Sequence, residues 1–469
     1  MRGRQVRGRR RHGGRAGRGP GTALLLVALV LHGCSGSGSL PPGASASPSA
    51  APSVTASAAS LAPTGTAATA SPTPTRAAGG WVLGRTPGLR GADSAPPVAI
   101  AVGPNGAVIV GERAVLEPEG PDDHYAAAFR SDDLVTWEPS RLDAGLRLGS
   151  SLPTSGPLAG MGAVTWGGAG FVAVGIDLVP GVTGVAWRSD DGTRWIRAPL
   201  PGTERARPAG IAWTGGRYVA IGVDEAPTAP RMAVWTSPDG LAWTRLPDGP
   251  AFAIGDYLDT GEYRAWAGPA SLSLDEAGRL LAAGRVCVGG RRYGDPIDCA
   301  GAIWRSDDGT TWTRELQPGT LPGPVAAGAT LGERVVLVGA TADEFGNVET
   351  GRVVVVEPAG TGGTADWQVV ELPDLPALSG VAVLDGVAYA LGAPMPVTSG
   401  RGPVISLWAS SDGRAWREVA GLPPLPDDVG SIRGVELVAT DDRLVILVSV
   451  EVDGSPTFVG IVLAGRPAA

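Results

Sequence analysis

Few side chains in this 469-residue chain are of the kinds that do chemistry, and most of those recur at fixed spacing. Asp133, Asp191, Asp239, Asp308 and Asp412 each follow a serine by two residues (Ser131, Ser189, Ser237, Ser306, Ser410) and precede a tryptophan by four. A carboxylate can serve as acid, base or metal ligand, or it can fold back on the amides of its own turn. The serine two residues earlier favours the turn, because both side chains reach backbone N–H groups there. After residue 34 there is one histidine, His124, beside Asp122 and Asp123. One histidine supplies one ligand, so this reads as a solvated loop rather than a metal site. "DEFGNVE", Asp343 to Glu349, is rich in oxygen but lacks the spacing of a calcium loop. No glycine-rich phosphate cradle opens a helix, and no serine sits in a nucleophile elbow. No catalytic residue, metal or cofactor is therefore expected. One loop stands out, "FAIGDYLDTGEYRAWAG" from Phe252. Its Tyr257, Tyr263, Arg264 and Trp266 suit recognition of a sugar or peptide, or they pack over a channel mouth.

These residues need a scaffold, and the repeat defines it. Each copy begins with an aromatic residue and ends with Trp eight residues later: Phe129–Trp137, Trp187–Trp195, Trp235–Trp243, Trp304–Trp312 and Trp408–Trp416. Gly follows the aspartate in four copies, and Leu134 takes its place in the first. An aromatic strand that runs into Ser-x-Asp-Gly and returns through Trp is a hairpin. Upstream of each copy lies a strand, a tight turn and a second strand, as in "IAWTGGRYVAIG". Each unit thus reads as four antiparallel strands, with no sustained helical period anywhere. A further unit, "ATLGERVVLVGA" to "TADWQVVEL", keeps the shape without the aspartate turn.

Four-stranded units repeating every 40–50 residues or so predict a β-propeller. Six units end at Trp137, Trp195, Trp243, Trp312, Trp367 and Trp416. Three more strands follow Trp416, and the fourth is missing there. "WVLGRTPG" from Trp81 echoes "WIRAPLPG" from Trp195. The N-terminal strand is therefore expected to complete the last blade. That gives an all-β, seven-bladed propeller over residues 80–469, with its sheet edges hidden by closure.

Ser-x-Asp-Gly-x-x-Trp resembles the Asp-box, or BNR, repeat of sialidases and related propellers, shortened by one residue. The resemblance implies that the serine and aspartate pairs are structural, in the turn between third and fourth strands. Loops between second and third strands, and between blades, then share the opposite face. The resemblance also raises glycan hydrolysis as an alternative function. The Phe/Tyr-Arg-Ile-Pro motif of sialidases is missing, and "FRSD" at Phe129 belongs to the repeat.

The N-terminal residues address the protein elsewhere. Eight arginines lie between Arg2 and Arg18, followed by an apolar run from Ala23 to Leu31 that is too short to span a bilayer as a helix. Leu31-His32-Gly33-Cys34 resembles a bacterial lipobox. The resemblance implies cleavage after residue 33 and acylation of Cys34 with diacylglycerol and chains of the palmitate kind. Residues 34–79 are then a Ser/Ala/Pro/Thr-rich tether with one charge, Arg76, and a flexible reach of roughly 35–40 Å. Cys287 and Cys299 are expected to form a disulfide in an oxidising compartment. Past Cys34 the chain carries 30 arginines, no lysine and 46 acids. That balance excludes nucleic acid and an anionic lipid surface as partners. The expected protein is a monomeric, extracytoplasmic lipoprotein held to the bacterial cell membrane, binding a glycan or an envelope protein without catalysis. The alternatives are a glycan-processing hydrolase and an assembly factor for an envelope complex.

Overall fold

Strand pairing builds seven sheets, and in blades 1–6 the four blade strands follow chain order from inner to outer. Blade 1 takes Pro97–Gly103, Gly106–Val115, Asp123–Ser131 and Glu138–Pro139. Blade 2 takes Ala159–Gly167, Gly170–Asp177, Thr183–Ser189 and Arg194–Pro199. Blade 3 takes Ala206–Trp213, Tyr218–Asp224, Arg231–Ser237 and Thr244–Arg245. Blade 4 takes Gly268–Leu274, Leu280–Gly289, Ile297–Ser306 and Thr313–Leu316. Blade 5 takes Val325–Leu331, Arg334–Ala342, Val348–Glu357 and Asp366–Glu371. Blade 6 takes Leu378–Leu384, Val387–Gly392, Ser406–Ser410 and Arg417–Glu418. Blade 7 takes Val429–Ala439, Leu444–Val452 and Thr457–Gly465, and its outer strand is Val82–Arg85 from the other end of the chain. The seven-bladed ring and its N-terminal closure are as expected from the repeat.

The computed structural model describes residues 80–467, apart from 91–96, 116–122, 143–158, 169, 178–182, 204–205, 225–230, 254–267, 290–296, 317–324, 343–347, 359–364, 373–376, 393–403 and 453–456. The chain divides into two units, 1–67 and 68–469, and the described residues belong to the second. The signal segment, Cys34 and most of the tether therefore lie outside the described residues, as do Tyr257, Tyr263, Arg264 and Trp266.

The core is seven apolar slabs, one at each junction between neighbouring blades. Alternate residues of a strand face opposite junctions, so both faces of every blade are buried. This explains why the second strands ("FVAVG", "YVAIG", "VVLVG") are continuous apolar runs. The slab between blades 7 and 1 joins Val445, Leu447 and Val462 to Ile100, Ile109 and Trp137. It is as well filled as the others, so the clasp leaves no weak junction in the core.

Every first strand carries a β-bulge, which the strand pattern of the sequence does not signal. The shifts fall at Pro97/Ala99, Met161/Ala163, Pro208/Gly210, Pro269/Ser271, Val325/Ala327, Leu378/Gly380 and Val429/Ser431. A bulge pushes one backbone toward its partner strand. The facing residue is glycine in six blades: Gly111, Gly175, Gly222, Gly284, Gly339 and Gly392. A Cβ on Gly175 would lie 1.9 Å from the Gly160 carbonyl oxygen, and one on Gly222 would lie 2.2 Å from that of Arg207. In blades 2, 3 and 4 the glycine facing the bulge is thus required by close approach.

Two further departures concern loops. Arg141–Leu142, just past blade 1, pairs in parallel with Arg194–Trp195 and gives blade 2 a fifth strand. His124, expected in a loop, lies in the third strand of blade 1, opposite Ala114. The hairpin simply extends further than its polar sequence suggests.

Candidate functional site

Four of the five Ser-x-Asp turns, those at Asp133, Asp239, Asp308 and Asp412, share one geometry. Asp133 Oδ1 accepts the amides of Val135 and Thr136 at 2.8 and 2.7 Å, and the Ser131 hydroxyl lies 3.1 Å from it. Asp239 Oδ1 accepts Leu241 and Ala242, and Asp412 Oδ1 accepts Arg414 and Ala415. In Asp308 the Thr310 hydroxyl and the Thr311 and Thr310 amides hold the carboxyl well below the usual carboxylate range. The Thr193 hydroxyl and amide do the same for Asp191. At Asp133 partial burial pushes upward, but the Thr136 and Val135 amides outweigh it. These carboxylates are engaged within their own turns and fixed as anions, a state that suits turn formation rather than proton transfer.

Each turn also locks the ring laterally. A Cβ on Gly192 would meet Val108 of blade 1 at 2.5 Å, and one on Gly240 would meet Val172 of blade 2 at 2.5 Å. The turn tip thus presses on the second strand of the preceding blade. Arg130 reaches the same way, donating to the Asp191 carbonyl at 2.8 Å. In blade 1 the tip is Leu134, held at φ 63°, and its carbonyl sits where a Cβ on Gly84 would be. The closing strand therefore needs glycine at that position.

Blade 2 breaks the pattern in one bond. Trp137, Trp243, Trp312 and Trp416 donate Nε1–H to the carbonyl three residues earlier. The matching acceptor for Trp195, the Gly192 carbonyl, is taken by the Ser140 hydroxyl at 2.6 Å. Trp195 Nε1 is left buried without a partner among the described residues. The added fifth strand brings Ser140 there and so displaces the indole.

The inner wall is the other constructed surface. The residues looped out of the first strands are Val98, Gly162, Ala209, Ala270, Ala326 and Ser379 in blades 1–6 and Gly430 and Arg433 in blade 7, and all are exposed or half-buried. All but Arg433 are small, and those of blades 1–6 sit near the start of each first strand, toward the inter-blade loops. One acid stands on this wall, Glu436 of blade 7. It accepts the Ile100 amide of blade 1 at 2.5 Å. Burial pushes its carboxyl up to about 8, against the opposing pull of that amide. A second link in the same junction runs from the Ser449 hydroxyl to the Pro97 carbonyl. Gly328 and Ser271 make the equivalent bond between blades 5 and 4 at 3.1 Å.

Charged pairs ring the same level. Asp177, fully buried, pairs with Arg197 at 2.7 Å, and Asp224 pairs with Arg245 at 2.5 Å. Each aspartate stands two residues past its blade's bulge-facing glycine. On the opposite face, a shallow groove of about 430 Å³ runs past Glu276, Glu333, Arg334, Glu357 and Ser411. It opens beside blade 5, which has no Ser-x-Asp turn. Glu357 is held there by Arg334 and Arg414. Among the described residues no three metal-ligating side chains cluster. The register sets Cys287 opposite Cys299, and their side chains lie outside the described set.

The sequence matches no protein-family model, and no curated protein matches it. Its fold is similar to several solved structures. One is a protein of unknown function from Dyadobacter fermentans DSM 18053, at 16% identity and a TM-score of 0.45, covering 82% of this chain and 98% of that one. Another is the polysaccharide lyase Uly1, at 10% identity and 0.48, covering 79% and 90%. A third is the α-L-arabinofuranosidase Arb93A from Fusarium graminearum, at 10% identity and 0.41, covering 83% and 98%. At these identities and TM-scores the likeness carries no activity across.

Proposed function

We propose that this chain is a lipid-anchored, extracytoplasmic binding propeller without catalytic activity of its own. Cys34 carries the lipid, residues 35–79 space the ring from the membrane, and a disulfide between Cys287 and Cys299 staples one hairpin in the oxidising compartment. The observation that carries the reading is the ring of bulges. The first strands of blades 1–6 each loop out a small residue at the same level, and blade 7 loops out Gly430 and Arg433. Small side chains there widen the mouth of the channel on the side of the variable loops, the usual place for a concave ligand site. The aromatic loop bearing Tyr257, Tyr263, Arg264 and Trp266 enters blade 4 at Gly268, beside the bulge at Ala270. Its chemistry suits a glycan or an exposed segment of an envelope protein.

A second reading, glycan hydrolysis, is favoured by one observation: the Glu436 carboxyl titrates near neutrality, as a general acid must. One experiment separates the two. The full chain is tested on a glycan array and on envelope extracts, beside Ala326→Trp, which fills the mouth, and Trp266→Ala. Binding lost in both variants supports the binding reading. Binding that survives both places recognition elsewhere. Sugar release from a bound glycan, abolished in Glu436→Gln, makes the chain a hydrolase.

A further inference from the structure

Arg285 is a partly buried cation with no counter-charge among the described residues. Arg285 lies on the second strand of blade 4, one residue past the bulge-facing Gly284, and is half-buried. It makes no hydrogen bond or ion pair with any described residue. Burial lowers its pKa, with no carboxylate acting to raise it. Its cross-strand neighbours are Gly268 on one side and Gly301 on the other. Residues directly opposite share a face, so the guanidinium is flanked on its own sheet by bare backbone.

The face it occupies follows from alternation along the strand. Leu281 and Ala283 pack with Val335, Leu337, Val354 and Val356 in the slab between blades 4 and 5. Arg285 continues that series at the end of the slab nearest the second-to-third-strand loops. Arg352 of blade 5 continues the series of Val354 and Val356, and its register partner is Gly339, the bulge-facing glycine of that blade. Two arginines from neighbouring blades therefore stand at one level of one cleft. Glu371 is opposite Arg352 on the outer strand and no acid is opposite Arg285. An isolated guanidinium leaving water is costly unless an anion meets it. Its planar fork matches the two oxygens of a carboxylate or phosphate.

We propose that Arg285 anchors an anion-binding site in the cleft between blades 4 and 5, which takes an oxyanion such as a uronate carboxylate or a phosphate. The site is lateral to the central channel and does not rest on the reading of the channel mouth given above.

The test uses the full chain. Thermal unfolding is followed while sodium glucuronate or inorganic phosphate replaces chloride at constant ionic strength, with glucose as the neutral control. A saturable rise in Tm is expected with at least one anion and not with glucose. The anion with the lower midpoint names the class. Arg285→Gln raises that midpoint by about tenfold or more, the loss expected for one charge-assisted pair. A second measurement needs no variant. Phenylglyoxal modification of the native protein, mapped by mass spectrometry, should slow at Arg285 with the anion present and stay unchanged at exposed Arg217. No response of the native chain to either anion overturns the proposal. So does a response that persists unchanged in Arg285→Gln, or protection that spares Arg285.

Discussion

Replacing Glu436 by Gln should stabilise the ring, and by an amount that depends on pH. In the folded protein its carboxyl titrates near 8, against an ordinary value of 4.5. At pH 7 it is protonated when folded and ionised when unfolded, so folding takes up a proton. Stability contributed by this group is fully present below about pH 4.5 and falls as pH rises, until the folded value near 8 is passed. Each unit costs about 1.4 kcal/mol, so the upper limit at pH 7 is about 3 kcal/mol. Water in the channel reaches the half-exposed side chain and lowers this, to about 1–2 kcal/mol. Glutamine cannot ionise, and its carbonyl can still accept the Ile100 amide. Urea unfolding of both proteins at pH 5, 6, 7 and 8 should give curves that nearly coincide at pH 5 and separate progressively above it. A difference that stays constant with pH would refute the reasoning. Glu436 would then be an anion in the folded state, stabilised by the amide it accepts.

The other predictions concern the turns and strands. Asp308→Ala strands the amides of Thr310 and Thr311 and should cost about 1–3 kcal/mol in urea unfolding. Because the native carboxyl is held low, its contribution should persist through neutral pH and fade only in acid, well below pH 4. Gly222→Ala sets a Cβ 2.2 Å from the Arg207 carbonyl oxygen, so the bulge must shift; a loss of at least about 2 kcal/mol is expected, and a Tm unchanged by the substitution would contradict the close approach. Ser140→Ala frees the Gly192 carbonyl for Trp195 Nε1, so the cost of the lost hydroxyl should be largely offset and the net change should stay within about 0.5 kcal/mol. The indole N–H resonance of Trp195 should shift downfield and exchange more slowly in that variant.

The ring was legible because its signals are local. A turn of seven residues fixes its own serine, aspartate, glycine and tryptophan, so Ser306 to Trp312 can be recognised without knowing what surrounds it. The count of blades followed from repeating that turn, and the clasp followed from one echo at Trp81. The bulges were less visible. They are relations between two strands, and the only trace in the sequence is the glycine ending each "VAVG" run, which also fits an ordinary strand end. Arg141–Leu142 is too short to announce itself as a strand, and its pairing depends on where blade 2 happens to present an edge. Glu436 sits in "GVELVA", where alternation reads an acid as facing open water. On an innermost strand that direction is the channel wall instead. Arg285 was hidden for the opposite reason: among so many arginines, its lack of a partner is a fact of three dimensions. Tyr257, Tyr263, Arg264 and Trp266 were singled out by composition alone and lie outside the described residues.

The clasp sets an order on the making of the protein. Val82 pairs with Ala464 and Arg85 with Ile461. The chain is synthesised from its N-terminus, so the strand that appears earliest finds its partner last. Until then blade 7 has an open outer edge, and the first strand remains unpaired while six blades assemble beside it. Closing so long a loop adds only a few kcal/mol of entropy, since the cost grows with the logarithm of length, but it delays the final step. The waiting strand is also where any pull on the N-terminal segment is first felt, so assembly and load bear on the same four residues.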